Sequence, residues 1–178
     1  MLTPCPGCRT LLPPSDGPTH RYIGASPACW AIYAALQSGG EPPLTPAPAN
    51  ALLVDAYAAQ HPGVPSPQAI QSVAVHLLTL HGVFAHGISV EQALWLRRAA
   101  LQERSGSRLN RYPWLEPPAF SGSLSVASIV AEPTPAARTA AVARYVEAVY
   151  QRWYAAHGTT LAVWYARFID GAAPARGG

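Results

Sequence analysis

The sequence predicts an all-α protein, a compact bundle of about five to six helices behind a loop-rich N-terminal segment. Three observations lead there. Apolar residues recur at helical spacing from Ile70 to Phe84, from Val142 to Tyr154 and from Leu161 to Phe168. The pairs Ser26-Pro27, Ser66-Pro67 and Thr134-Pro135 each join an N-capping side chain to a proline suited to the first helical turn. No stretch sustains the apolar–polar alternation of a half-buried strand. A chain of 178 residues that is 49% hydrophobic can bury a real core. One helical domain over residues 1–170 is expected, with residues 171–178 as a disordered tail.

Residues 1–24 are rich in Pro and Gly and lack periodicity, so they read as a loop segment with little core of its own. Ser26-Pro27 opens a first helix through Trp30, Tyr33 and Leu36, stopped by Gly39-Gly40. Pro42, Pro43, Pro46 and Pro48 make the next stretch a stiff connector. A second helix is expected from Asn50 to about Gln60, ended by His61-Pro62-Gly63. The third starts at Ser66-Pro67, carries Val73, Ala74, Leu77, Leu80 and His81, and ends at Gly82 or Gly87. Ser89 and Gln92 form a capping box for a fourth helix through Leu94, Trp95 and Leu101. After an irregular stretch, a short helix covers Val126 to Ala131. A long one then runs from Thr134-Pro135 to Gly158, and Thr159 caps a last one.

Charge excludes some functions. Charged residues are only 12% of the chain, the basic side is entirely arginine, and the net charge is +3. Arg97, Arg98, Arg104, Arg108 and Arg111 gather in one stretch, but Glu103 interrupts them and no aromatic stacking pattern accompanies them. That reads as a solvated helix face and argues against a nucleic-acid partner. No uninterrupted apolar run reaches the ~18 residues of a membrane span, and the N-terminus lacks signal-peptide features. Three cysteines cannot all pair within the chain, so reduced thiols and a cytoplasmic location are expected.

The chemically pointed feature is Cys5-Pro6-Gly7-Cys8. Two thiols separated by two residues can be turned onto one metal ion. Cys29 is the natural third ligand, because in the first turn of a capped helix the dipole and free N–H groups favour a thiolate. His20 is the nearest fourth, completing C-x2-C-x11-H-x8-C, with His61 and His76 as alternates. Zinc suits this donor set best, with iron as the alternative. Otherwise Cys29 is a small buried apolar residue and His20 a loop histidine bonded to backbone. A thioredoxin-type role for the cysteine pair lacks the strand before it and the helix after it.

A second constellation is Asp55, His61 and His76. The turn at Pro62-Gly63 makes the second and third helices antiparallel neighbours, so these side chains can meet. Two histidines and a carboxylate can hold a metal with open positions or act as acid and base. Gln71 and Tyr57 could support them. The plainer reading makes them hydrogen-bonded residues at helix edges, with His81 in the core and His86 and His157 solvated at helix ends.

The segments Cys5-Pro6-Gly7-Cys8, Asp16-Gly17-Pro18-Thr19-His20, Cys29-Trp30, Val54-Asp55-Ala56-Tyr57, Gln60-His61-Pro62-Gly63 and Gln71-Ser72-Val73-Ala74-Val75-His76 resemble a bacterial family. It is domain-of-unknown-function family 5946. The resemblance is dense over residues 5–80 and thinner beyond, resting there on Trp114-Leu115-Glu116-Pro117-Pro118. It implies no activity. The family pattern often has a histidine where this chain has Asn50, which weakens a complete second site here. The expectation is a metal protein whose Cys/His site is structural and which binds or scaffolds an unidentified small molecule or protein. The competing expectation is a small metalloenzyme using Asp55, His61 and His76.

Overall fold

The computed structural model describes residues 1–39, 42–102 and 112–172. They form an all-α fold. Its six helices are α1 (Pro27–Gln37), α2 (Leu53–Gln60), α3 (Pro67–His86), α4 (Val90–Gln102), α5 (Val126–Val130) and α6 (Pro135–Ala172). A short 3-10 turn, Pro48–Leu52, leads directly into α2. Two strands of two residues, β1 (Thr3–Pro4) and β2 (Leu11–Leu12), pair antiparallel at the N-terminus. This hairpin escapes the sequence pattern because two residues are too few to alternate.

The capping chemistry explains the helix starts. Ser26 Oγ accepts from Cys29 N at 3.3 Å and Ser66 Oγ accepts from Ala69 N at 3.1 Å, each satisfying one otherwise unpaired helix donor. Ser89 and Gln92 bond reciprocally at the head of α4. Its core face is Ala93, Leu96 and Ala100, and Trp95 points to solvent at 62% exposure. The helix expected through Leu94 and Trp95 is present, with its buried face one step round from them. The small Ala93 and Ala100 let α4 lie close to the core.

α3 is the central element, packed against α2, α4 and α6. By length and composition it is long and apolar enough to cross a membrane, although polar residues interrupt its apolar runs. Here Val73, Leu77, Leu80 and His81 are buried among the neighbouring helices. The helix passes through Gly82 and stops at Gly87, whose φ of 64° provides a left-handed cap.

α6 supplies the largest fully buried side chain, Trp153, together with Tyr145, and the Trp153 indole donates to Ala59 O at 3.0 Å. The two helices expected on either side of Gly158 are present within this span, joined across a kink at His157, whose backbone is non-helical. Its Nε2 is 2.8 Å from Glu116 O, which anchors the kink to the strap before α5. The proline connector is fastened to α6 by Thr45, whose N–H and hydroxyl both meet Thr139 Oγ1 at 2.9 Å. Arg104, Arg108 and Arg111, and positions 173–178 of the expected tail, lie outside the described residues.

Candidate metal centre

The hairpin turn carries Cys5 and Cys8. Cys5 N donates to Thr10 O at 2.9 Å and Arg9 N donates to Cys5 O at 3.0 Å, winding the turn so that both sulfurs face inward. Arg9 takes a φ of 66° to close it. Thr10 Oγ1 donates to Gly122 O at 2.8 Å and docks the hairpin on the segment before α5. Cys29 enters from the first turn of α1, and His61 from the exit of α2.

The ligand atoms of Cys5, Cys8, Cys29 and His61 all lie within 4.8 Å of one another, and all four residues are buried. Cys8 Sγ is 3.9 Å from Cys29 Sγ, and Cys29 Sγ is 3.5 Å from His61 Nε2. Tetrahedral zinc with ordinary bond lengths sets its sulfurs about 3.8 Å apart and sulfur from nitrogen about 3.6 Å. The Cys8–Cys29 and Cys29–His61 spacings match such an ion.

The surrounding groups prepare each ligand. His61 Nδ1 is 2.9 Å from Tyr57 O, so it carries the proton and leaves Nε2 for a metal. Ser26 N donates to Cys5 Sγ at 3.4 Å, and the Tyr57 hydroxyl donates to Cys29 Sγ at 3.5 Å. Burial and the nearby Cys29 push that hydroxyl far above its usual range, which keeps it a donor. Contacts with Cys29 pull Cys5 and Cys8 below the ordinary thiol range, while Cys5 and Cys8 drive Cys29 far above it. Three thiols this close cannot all ionise without a cation among them. Burial opposes a charge on His61, but Cys5 and Cys8 outweigh it and push the imidazole up to about 9.

His20 lies outside this group. Its ring meets Tyr22 edge-on at 4.5 Å and Trp30 at 5.4 Å. His61 occupies the place expected of it, because backbone approach outweighs nearness along the chain. A Cβ on Gly7 would fall 2.4 Å from His61 Cδ2 and 2.8 Å from Gln60 O. Gly24 N donates to His61 O at 2.9 Å, tying the loop to the same turn. Substituting Gly7→Ala should cost about 1–3 kcal/mol through overpacking and weaken metal retention about tenfold by displacing the hairpin. Thermal unfolding and competition with a chromophoric chelator would measure both; wild-type behaviour in each would contradict this account.

Asp55, His61 and His76 do not converge on one point. His61 joins the cysteines, while His76 Nδ1 lies 2.7 Å from Asp55 Oδ1 and Arg97 donates to Asp55 Oδ2 at 2.8 Å. Asp55 is wholly buried, so these two partners replace its hydration. Arg97 was missed as a site residue because its neighbours read as a solvated arginine face. Of the expected supports, Tyr57 serves the metal ligands, whereas Gln71 Nε2 donates to Tyr112 O at 3.3 Å.

No curated protein and no solved structure matches the chain. A family model described as "Family of unknown function (DUF5946)" matches residues 3–154. That span takes in the hairpin, the four clustered ligands, the Asp55 pair and the helices through the first half of α6, and the chain belongs to this family.

Proposed function

We propose that Cys5, Cys8, Cys29 and His61 hold one zinc ion whose role is structural, and that the protein is a binding or scaffolding module assembled around it. The carrying observation is a buried set of three sulfurs and one imidazole nitrogen within 4.8 Å of one another, with two of their spacings close to those of a tetrahedral ion. All four donors come from the protein, a composition that suits structural rather than catalytic zinc. The ion would join the N-terminal hairpin, the head of α1 and the exit of α2, and so fasten a segment that cannot build a core alone. Iron would fit the same donors less well, since His61 interrupts an all-thiolate set. Three free cysteines suit a reducing, cytoplasmic compartment.

Protein purified without added metal should carry about one equivalent of zinc by elemental analysis. Less than about half an equivalent of zinc and iron together, with no metal-dependent change in stability, would sink the proposal.

A further inference from the structure

A cavity of about 220 Å³ lies behind the metal centre, between α1, α2, α3 and the fastened N-terminal loop. Its walls include Trp30, Tyr33, Tyr57, His20 and His76. Tyr33 and Tyr57 stack with ring centres 3.9 Å apart, and Trp30 lies 5.3 Å from Tyr33. These rings make a broad apolar surface beside two imidazoles.

The imidazoles are set differently. His76 donates from Nδ1 to Asp55, so in its neutral form Nε2 carries a lone pair. Among the described residues nothing hydrogen-bonds to that nitrogen. Asp55 cannot turn away, because Arg97 holds its other oxygen. His76 thus presents a fixed acceptor at the cavity wall. His20 Nδ1 is buried and has no hydrogen-bond partner among the described residues.

Charge and size narrow the occupant. Arg97, half-buried, is already paired with Asp55 and so is not free to balance an anionic ligand. Burial and the Asp55 charge push the Tyr33 hydroxyl up to about 12, so the aromatic wall is neutral as well. A dry cavity of ~150 Å³ accommodates benzene. This one has room for a single ring with a substituent.

We propose that this cavity binds a small neutral aromatic or heteroaromatic molecule carrying a hydroxyl or ring N–H. That group donates to His76 Nε2, and the ring rests against Trp30, Tyr33 and Tyr57. The proposal rests on the structural-zinc reading in one respect: His20 and Tyr22 belong to the segment the ion would fasten.

The test uses full-length protein of measured zinc content, with phenol and toluene as probes of equal shape. Calorimetric titration gives affinities, and 1H–15N correlation of the histidine rings reports on His76. Phenol should move the His76 Nε2 resonance and bind about tenfold more tightly than toluene, the difference being one hydrogen bond. Ser72→Leu, which fills the cavity from α3, should abolish phenol binding without changing zinc content. His76→Leu should bring phenol and toluene to equal affinity; should that variant not fold, the wild-type resonance shift decides. Zinc-loaded protein whose His76 resonance ignores millimolar phenol, or which binds both probes equally, overturns the pocket and leaves the metal reading standing. Protein without zinc that still binds phenol through His76 supports the pocket and overturns the metal reading. Protein without zinc and without phenol binding overturns both.

Discussion

Replacing Cys29 with serine should strip the protein of zinc and lower its melting temperature by about 10–15 °C. Cys29 is the hub of the centre: its sulfur lies 3.9 Å from Cys8, 3.5 Å from His61 Nε2 and 3.5 Å from the Tyr57 hydroxyl. A serine oxygen is smaller, harder and un-ionised, so the ion would lose one of four ligands. The remaining thiols would then crowd together without a counter-charge in a buried site. Breaking a buried charged cluster in this way costs about 3–5 kcal/mol. For a chain of this length each kcal/mol is worth about 2–4 °C. The loop before α1 should become open to proteolysis, because Ser26 N and Gly24 N bond to Cys5 and His61. A strong chelator should reproduce these changes in the wild type and do nothing further to Cys29→Ser. A variant that keeps its zinc and its melting temperature would refute the role of Cys29.

Asp55→Ala should cost about 3–5 kcal/mol without releasing metal. The carboxylate is fully buried and accepts from both His76 and Arg97. Truncation leaves Arg97, only 21% exposed, without its anion, and His76 without the group that orients its ring. His76→Ala should cost less, because the Asp55–Arg97 pair survives it. Chemical denaturation of the two variants, with zinc measured on each, checks the ordering. Loss of zinc in Asp55→Ala equal to that in Cys29→Ser would mean that the two clusters are one site.

Helix starts were legible because they depend on neighbours in sequence. Ser26-Pro27, Ser66-Pro67 and Thr134-Pro135 sit where α1, α3 and α6 begin, since a cap and a first-turn proline act within four residues. The face of α4 was not legible, because small alanines carry the contact and Trp95 does not. Three of the four clustered ligands lie within the first 29 residues, where spacing and a helix N-terminus point to them. The fourth does not follow from spacing. His61 arrives through tertiary contact, and the signal for it is a glycine: a side chain at Gly7 would collide with its ring. Arg97 was hidden for the opposite reason, since one buried carboxylate 42 positions away gives it a task its neighbours do not share.

Tyr57 joins these two clusters. Its ring lines the aromatic cavity and its hydroxyl reaches the sulfur of Cys29. α2 is only eight residues long, too short to hold its orientation unaided. A ring pressed against Tyr57 would therefore act on the same atoms that would keep the proposed ion in place. Equilibrium makes such an exchange even-handed: whatever factor the ion contributes to the affinity of a small molecule, that molecule returns to the affinity of the ion. Metal retention thereby becomes a way to read pocket occupancy without labelling either one.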